Sequence, residues 1–307
     1  MTKRLRQILK ESQHADAMWG HQGHHGLIES TCLAMLALYR QSGHEQSPAV
    51  RALRDHQNPD GSWPAFSGDE PDGCWVTALA VIALLSAGSE VSSLSRAIRW
   101  LVGARGREAN WFWRWRFQAA DKSVRFDPAK YGWSWVPGTT SWVIPTAFSV
   151  IALSQARRLG INRTAVVTER IELGVSMLLD RMCPSGGWNA GNGMALGVQY
   201  SAYIDATAIA LLALAGHETA PGVRDSLAWL VHRLPGCPSP YSLAWGILAL
   251  SVYRNISTEA SNALACATNE LTALIDRGVG MDDECTLAVC ALALDAVEGD
   301  NAFEVRS

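Results

Sequence analysis

The 307-residue sequence lacks a surplus of charge of either sign, because 26 Lys and Arg residues are balanced by 29 Asp and Glu residues. A nucleic-acid-binding protein normally carries a basic surplus, so the composition gives no indication of a nucleic-acid partner. No apolar run approaches the roughly 20 residues that a helix needs to cross a bilayer. The basic start, residues 1–6, is followed by no apolar segment of the kind found in secretory signals. We therefore expect a cytoplasmic protein.

Several motifs of catalysis and cofactor binding are also missing. The sequence has no phosphate-cradling glycine loop, no Gly-x-Ser-x-Gly nucleophile motif and no Asp-Asp-x-x-Asp run that would hold magnesium against a diphosphate. We expect no cofactor. Cysteines are seven in number, and their positions in apolar segments are typical of buried, reduced thiols. The cysteines at such positions are Cys32, Cys266, Cys285 and Cys290.

One pattern, in contrast, occurs six times. A small residue, usually Thr, begins an apolar, Ala-rich run that ends in Ala-Leu. The copies are residues 31–38, 77–84, 146–153, 207–214, 243–250 and 285–292. Each run is apolar on all sides and therefore predicts a helix that is buried on all sides. Repeats of this spacing indicate an array of similar structural units.

Amphipathic stretches alternate with these apolar runs and predict a covering layer of helices. They occupy residues 2–16, 46–57, 93–104, 164–182, 221–234 and 258–277. Six inner and six outer helices predict an all-α fold, an (α/α)6 toroid. Because the repeat extends over the whole sequence, we expect residues 1–307 to form a single domain.

The connection at about 104–141 is unusually long and rich in Trp and Arg. Its aromatic residues alternate with Arg114 and Arg116, which predicts an extended, strand-like segment over residues 111–117. The connection is interpreted as a lid over the cavity, a contact with a membrane interface, or a structural plug. It could also stabilise a carbocation by cation–π contact, or bind an anionic headgroup through Arg114 and Arg116.

Two loops carry a second recurring signal. Gln57-Asn-Pro-Asp-Gly-Ser-Trp63 precedes the repeat at Thr77, and Gly186-Gly-Trp188 precedes the repeat at Thr207. These segments resemble the QW repeats of squalene–hopene cyclases and related class II terpene cyclases, whose toroid is also used by the β-subunits of protein prenyltransferases. The resemblance extends over essentially the whole chain. It implies a cyclase or isomerase that transfers a proton to an isoprenoid or other long apolar substrate in a Trp-lined central cavity.

Acidic residues recur at one register position, two residues before the start of the repeat. In a toroid this position faces the mouth, the end of the ring where the inner helices begin. Squalene–hopene cyclases carry Asp-x-Asp-Asp-Thr-Ala there, and the resemblance places Asp283 at the proton-donating middle Asp and Glu284 after it, with Met281 in place of the first Asp. The candidate catalytic residues are Asp283, Asp205, Glu284 and Glu29. The alternative for each acid is a helix cap with a lowered pKa.

Aromatic residues are the candidate substrate-binding groups, because 13 Trp residues exceed the 6 Tyr and 6 Phe residues. Their faces would shield cationic intermediates. The candidates are Trp75, Trp133, Trp135, Trp142, Tyr203, Tyr241 and Trp245, together with Arg114 and Arg116. Two other functions stay open: a non-catalytic toroid that binds a lipid or a partner protein, and a carbohydrate-active barrel with Trp platforms and two carboxylates.

Two arrangements in the sequence have the residue types of a metal site. Asp72-Gly-Cys74-Trp75 resembles the Asp-x-Cys-Tyr that supplies two zinc ligands in protein prenyltransferases, but no later inner helix begins with the His that would complete the site. His21, His24 and His25 cluster on a predicted loop, where histidines are more often solvated than metal-bound. We therefore expect no metal ion.

Overall fold

The computed structural model describes residues 1–20, 25–39, 47–68, 72–89, 91–119, 126–195 and 197–305. These residues form thirteen α-helices, one short 3₁₀ helix and one two-stranded hairpin, which confirms the all-α prediction. Across the same residues, no helix has both the length and the apolar character needed to cross a membrane.

Six buried helices form the inner layer. They are α2 (Ile28–Leu38), α4 (Val76–Ser86), α7 (Val143–Arg158), α9 (Ile204–Ala213), α11 (Pro240–Tyr253) and α13 (Glu284–Val297). Each of these helices contacts the next, and α13 returns to contact α2, so the ring closes. The six apolar repeats thus form the inner ring of an (α/α)6 toroid, as predicted.

Six outer helices cover the ring. They are α1 (Thr2–Glu11), α3 (Pro48–Asp55), α5 (Val91–Gly103), α8 (Ala165–Asp180), α10 (Val223–Arg233) and α12 (Thr258–Asp276). Their amphipathic pattern orients them: α3 buries Val50 and Leu53 and exposes Arg51. Helix α1 contacts both α13 and α2 and covers the seam where the ring closes.

A recurring pair of hydrogen bonds joins the outer layer to the inner layer. The indole N–H of Trp63 donates to the Leu53 carbonyl at 2.7 Å, and its backbone N–H donates to Thr77 Oγ1 at 3.0 Å. We call this arrangement the Trp–Thr latch. It recurs in three further Trp and Thr pairs: Trp19 with Thr31, Trp133 with Thr146, and Trp188 with Thr207. The Thr that begins these repeats is therefore an acceptor for a buried backbone N–H.

The prediction of an extended segment over residues 111–117 is wrong, because these residues lie in helix α6 (Trp111–Ala119). The side chain of Asn110 accepts the N–H of Phe112 at 2.9 Å, as a helix-capping residue does. This cap favours a helix over the strand suggested by the alternation. A 3₁₀ helix (Arg107–Ala109) precedes α6. The hairpin, β1 (Met194–Ala195) and β2 (Val198–Gln199), was not predicted.

Candidate functional site

The first turns of four inner helices bring their side chains together at the mouth of the ring. The negative charge of Asp283 on α13 raises the pKa of Glu29 on α2. Burial first, and then the charges of Glu29 and Asp205, raise the pKa of Tyr241 on α11. Such mutual effects require proximity, so the register position chosen from the sequence does converge in space.

Glu29 is the carboxyl group with the most altered environment at the mouth. It is the second residue of α2, and its side chain is only partly exposed. Burial raises its pKa from 4.5 to about 7, and the charge of Asp283 adds to this increase. A helix N-terminus by itself favours the charged form, so burial outweighs the helix dipole here. Glu29 therefore gains and loses its proton near neutral pH.

Asp283 has a structural task at the same position. It is the N-cap of α13, and its Oδ2 atom accepts the backbone N–H of Thr286 at 2.7 Å and the hydroxyl of the same residue at 2.6 Å. Glu284 follows in the first turn and is buried. Glu29 and Asp205, by contrast, are each the second residue of their helix, two positions after the N-cap. The capping alternative thus describes the side chain of Asp283 only.

Cys285, which was expected to be buried, is partly buried and lies among these acids, whereas the same expectation is wrong for Cys266, which is exposed on α12. The Sγ atom of Cys285 lies 3.2 Å from Ser30 Oγ, which links α13 to α2. Burial first, and then the charge of Glu29, raise the pKa of the Cys285 thiol to about 12. A thiol that stays protonated at neutral pH is a poor nucleophile, so the site does not favour thiol catalysis.

An aromatic cluster fills the interior of the ring below the acids. Trp75 contacts Trp135 with ring centroids 4.9 Å apart, and it also contacts Phe148 at 5.9 Å. Phe148 contacts Trp245 at 5.6 Å. The contacts continue to Tyr241, 6.2 Å from Trp245. These rings therefore connect the start of α4 with the acids at the mouth.

Trp245 has a polar group that the protein leaves without a partner. Its side chain is fully buried, and its Nε1 atom has no hydrogen-bond acceptor among the described residues. The neighbouring Tyr241 hydroxyl is close enough for the indole N–H to lower its pKa, but the two groups do not meet hydrogen-bond geometry. A buried donor of this kind is costly and is commonly explained by a ligand or an ordered water.

The C-terminal tail closes the other end of the ring. Phe303 is fully buried and contacts Trp245 at 5.1 Å. Asn301 donates to the Leu248 carbonyl at 2.8 Å, and Gln155 donates to the Ala302 carbonyl at 2.9 Å. These contacts lie near the C-terminal ends of α11 and α7, opposite the mouth. No sequence signal predicted this role for the tail, because it follows the last repeat.

A cavity of about 420 Å³ opens between α5, α7 and the long connection. Its walls include Trp75, Trp100 and Trp133, and Arg105 contributes a cation. This volume is within the range of small-molecule sites. A larger cleft of about 730 Å³ lies outside the start of α9 and is lined by Trp229, His232 and Arg233 among others. The smaller cavity is the better candidate for an apolar ligand, because Trp75 joins it to the interior cluster.

The remaining predicted substrate-binding residues have other surroundings, although Tyr203 is the N-cap of α9 and lies two residues before Asp205. Trp133 forms a Trp–Thr latch, and the Arg170 guanidinium lies 3.4 Å from its ring centroid. Trp142 packs so closely on Gly191 that a Cβ there would lie 3.1 Å from the ring. Tyr203 is exposed. Arg114 and Arg116 both belong to α6, on the outside of the ring.

No group of three potential metal ligands occurs among the residues that the structure describes, which include Asp72 and Cys74. His21 and His24, from the candidate histidine cluster, lie outside the described residues.

Comparison with known proteins agrees with this architecture. No protein-family model and no curated protein matches the sequence. Among solved structures, the apo type II terpene cyclase MstE from Scytonema matches with a TM-score of 0.55 and 16% identity, over 89% of this chain and 78% of that one. An MstE variant in complex with its substrate geranylgeranyl dihydroxybenzoate matches with a TM-score of 0.58 and 14% identity, over 97% and 95% of the chains.

A carbohydrate-active enzyme has an equally similar fold. A GH76 α-mannanase from Bacteroides thetaiotaomicron matches with a TM-score of 0.65 and 9% identity, over 96% of this chain and 94% of that one. At these identities the likeness shows the (α/α)6 toroid fold and leaves the activity to be argued from the site.

Proposed function

We propose that the protein is a terpene cyclase-like enzyme that protonates an isoprenoid or another long apolar substrate at the mouth of the ring, with Glu29 as the acid. The observation that carries this proposal is the position of Glu29, which lies partly buried in the first turn of α2, where α2 contacts α13 and where burial raises its pKa to about 7. A general acid works best with a pKa close to the working pH. Asp283, which the resemblance favoured, acts through Glu29 because its charge helps to keep the Glu29 proton in place.

The proposed step needs only the carboxyl group and the aromatic cluster. The Glu29 carboxyl gives its proton to one carbon of a carbon–carbon double bond, so a C–H bond forms and a carbocation remains on the other carbon. The face of Tyr241, a half-buried ring near Glu29 and Asp205, stabilises this cation through its ring quadrupole. Loss of a proton from a neighbouring carbon restores a double bond and returns the proton to Glu29. The net reaction is an isomerisation or, when another double bond attacks the cation first, a cyclisation.

The test is incubation in D₂O with squalene, farnesyl diphosphate and geranylgeranyl diphosphate, followed by mass spectrometry of products and recovered substrate. We expect deuterium in one of these pools for wild type and loss of the signal in Glu29→Gln. Glu172→Gln, at an exposed position on α8, is the matched control and should behave as wild type. Deuterium incorporation that persists in Glu29→Gln would refute the assignment of the acid. No incorporation from any of the three compounds by folded wild type would argue for a binding toroid.

One observation favours a glycoside hydrolase as a second candidate. Glu29 with its raised pKa, next to the carboxylate of Asp283, resembles the acid and base pair of such enzymes. The interior below the pair is aromatic and apolar, which suits a sugar less well than an isoprenoid. Release of reducing sugar from α-mannan or starch, lost in both Glu29→Gln and Asp283→Asn, would favour this candidate over the cyclase.

A further inference from the structure

The long connection presents an unpartnered aromatic surface on helix α6. Trp111, Phe112 and Trp115 are 78%, 45% and 59% exposed, which is unusual for rings of this size. Trp111 and Trp115 are one helical turn apart and Phe112 is adjacent, so the three rings share one side of the helix. We call these three side chains the α6 aromatic face.

The opposite side of α6 is fixed to the protein. Trp113 lies under the Arg107 guanidinium at 4.8 Å, and Phe117 contacts Phe126 at 5.2 Å. Phe126 in turn lies under Arg181 at 4.1 Å, next to the C-terminal end of α8. One side of the helix is therefore packed, and the aromatic face is left to solvent by the fold itself.

Positive charge surrounds the α6 aromatic face. By helical periodicity Arg114 lies on one border of the face and Arg116 on the other, where the Arg116 guanidinium lies 5.6 Å from the Trp113 ring centroid. Residues 104–130 contain seven Lys and Arg against three Asp and Glu, although the chain as a whole has a net charge of −3. One of those three acids, Glu108, is buried and bonded to the backbone N–H of Ser141. The connection is thus a local cationic region on a protein whose charges are nearly balanced overall.

We propose that the α6 aromatic face docks this protein on the surface of a bilayer that contains anionic lipid. Trp and Phe rings on one side of a helix with Arg on its borders are the composition of an interfacial helix, which lies in the headgroup region without crossing the membrane. Each Arg near an anionic surface strengthens binding, and Trp is favoured at the interface. The docking is independent of the chemistry proposed for Glu29.

A second copy of the chain is a poorer occupant of this surface. A symmetric dimer would place the α6 aromatic face against itself and oppose Arg114 and Arg116 to their own copies. The face also presents three rings on a nine-residue helix. That is small beside the roughly 800 Å² that each partner contributes to a standard interface.

The experiment is cosedimentation of the full chain with vesicles of phosphatidylcholine alone or with about one third phosphatidylglycerol, at low and high salt. We expect wild type to bind the anionic vesicles, to bind the neutral ones more weakly and to be released by salt. Trp111→Ser with Trp115→Ser should abolish binding. Arg114→Gln with Arg116→Gln should weaken it on the order of 10- to 30-fold, since each Arg near the surface contributes about 1 kcal/mol.

The matched control is Val166→Ser with Val198→Ser, which removes two exposed apolar side chains elsewhere on the surface. It should bind as wild type, and circular dichroism should show all variants folded. Wild type that stays in the supernatant with anionic vesicles, or a Trp variant that binds as well as wild type, would overturn the proposal. A wild-type dimer in light scattering that the Trp substitutions convert to monomer would also overturn it, because the face would then be a self-interface.

Discussion

The raised pKa of Glu29 predicts an unusual dependence of stability on pH. Because the folded protein holds the Glu29 proton up to about pH 7 and the unfolded chain releases it near the unperturbed value of 4.5, the folded state binds more protons between these limits. Stability therefore falls as pH rises through this window. The difference of about 2.5 pH units corresponds to at most about 3 kcal/mol, at 1.36 kcal/mol per unit.

Replacing Glu29 by Gln isolates this effect, because Gln keeps the shape of the protonated acid and cannot ionise. Urea denaturation of wild type and Glu29→Gln at pH values from 4.5 to 8.5 measures the free energy of unfolding. We expect the variant to match wild type at the acidic end and to be more stable by up to about 3 kcal/mol at pH 8. Glu172→Gln, at an exposed position, should follow the wild-type curve. If the difference between wild type and Glu29→Gln is the same at every pH, the assigned environment of Glu29 is wrong.

Three further predictions address the supports of the ring. Thr207→Val leaves the buried N–H of Trp188 without its acceptor and should lower the free energy of unfolding by about 1–3 kcal/mol, whereas Thr207→Ser should cost less; urea denaturation measures both. Asp283→Ala removes the N-cap of α13 and should lower the free energy of unfolding by about 1 kcal/mol. Because a negative charge near Glu29 is lost, the pKa of Glu29 should fall, and the decrease in stability that Glu29 causes should shift to lower pH. Phe303→Ala should leave a cavity in the aromatic cluster and lower the free energy of unfolding by about 3–5 kcal/mol. Equal denaturation midpoints for wild type and variant would show that the tail does not close the ring.

The inner and outer helices could be predicted from the sequence because burial on all sides and burial on one side leave different periodicities. The apolar run that begins at Thr77 lies in the buried helix α4, whereas the alternating pattern of Pro48–Asp55 lies in the half-exposed α3. The conformation of residues 111–117 could not be predicted in this way. Aromatic and basic residues alternate there, but the segment neither pairs with a strand nor belongs to the core, so the cap at Asn110 decides.

The residues of the candidate site could be predicted from their position before each repeat, but the role of each acid could not. Counting back from each repeat identified Glu29, Asp205, Tyr241 and Asp283, because every inner helix begins at the same end of the ring. Which acid holds a proton depends on burial and on neighbouring charges, and neither is encoded locally. Asp283 lies three residues before Thr286 and becomes a cap, whereas the pKa of Glu29 is raised first by burial and then by the charge of Asp283, more than 200 positions away.

The repeats differ in whether the residue that begins them can form the Trp–Thr latch. Thr31, Thr77, Thr146 and Thr207 each use their hydroxyl for a Trp–Thr latch. The corresponding positions of the last two repeats hold Leu243 and Cys285, which cannot form it in the same way. Glu29 meets Asp283 and Cys285 where the sixth repeat closes the ring against the first, at the seam covered by α1. Burial raises the pKa of Glu29 first, and the charge of Asp283 from the other side of this seam adds to the increase, so closure of the ring contributes to the proposed chemistry.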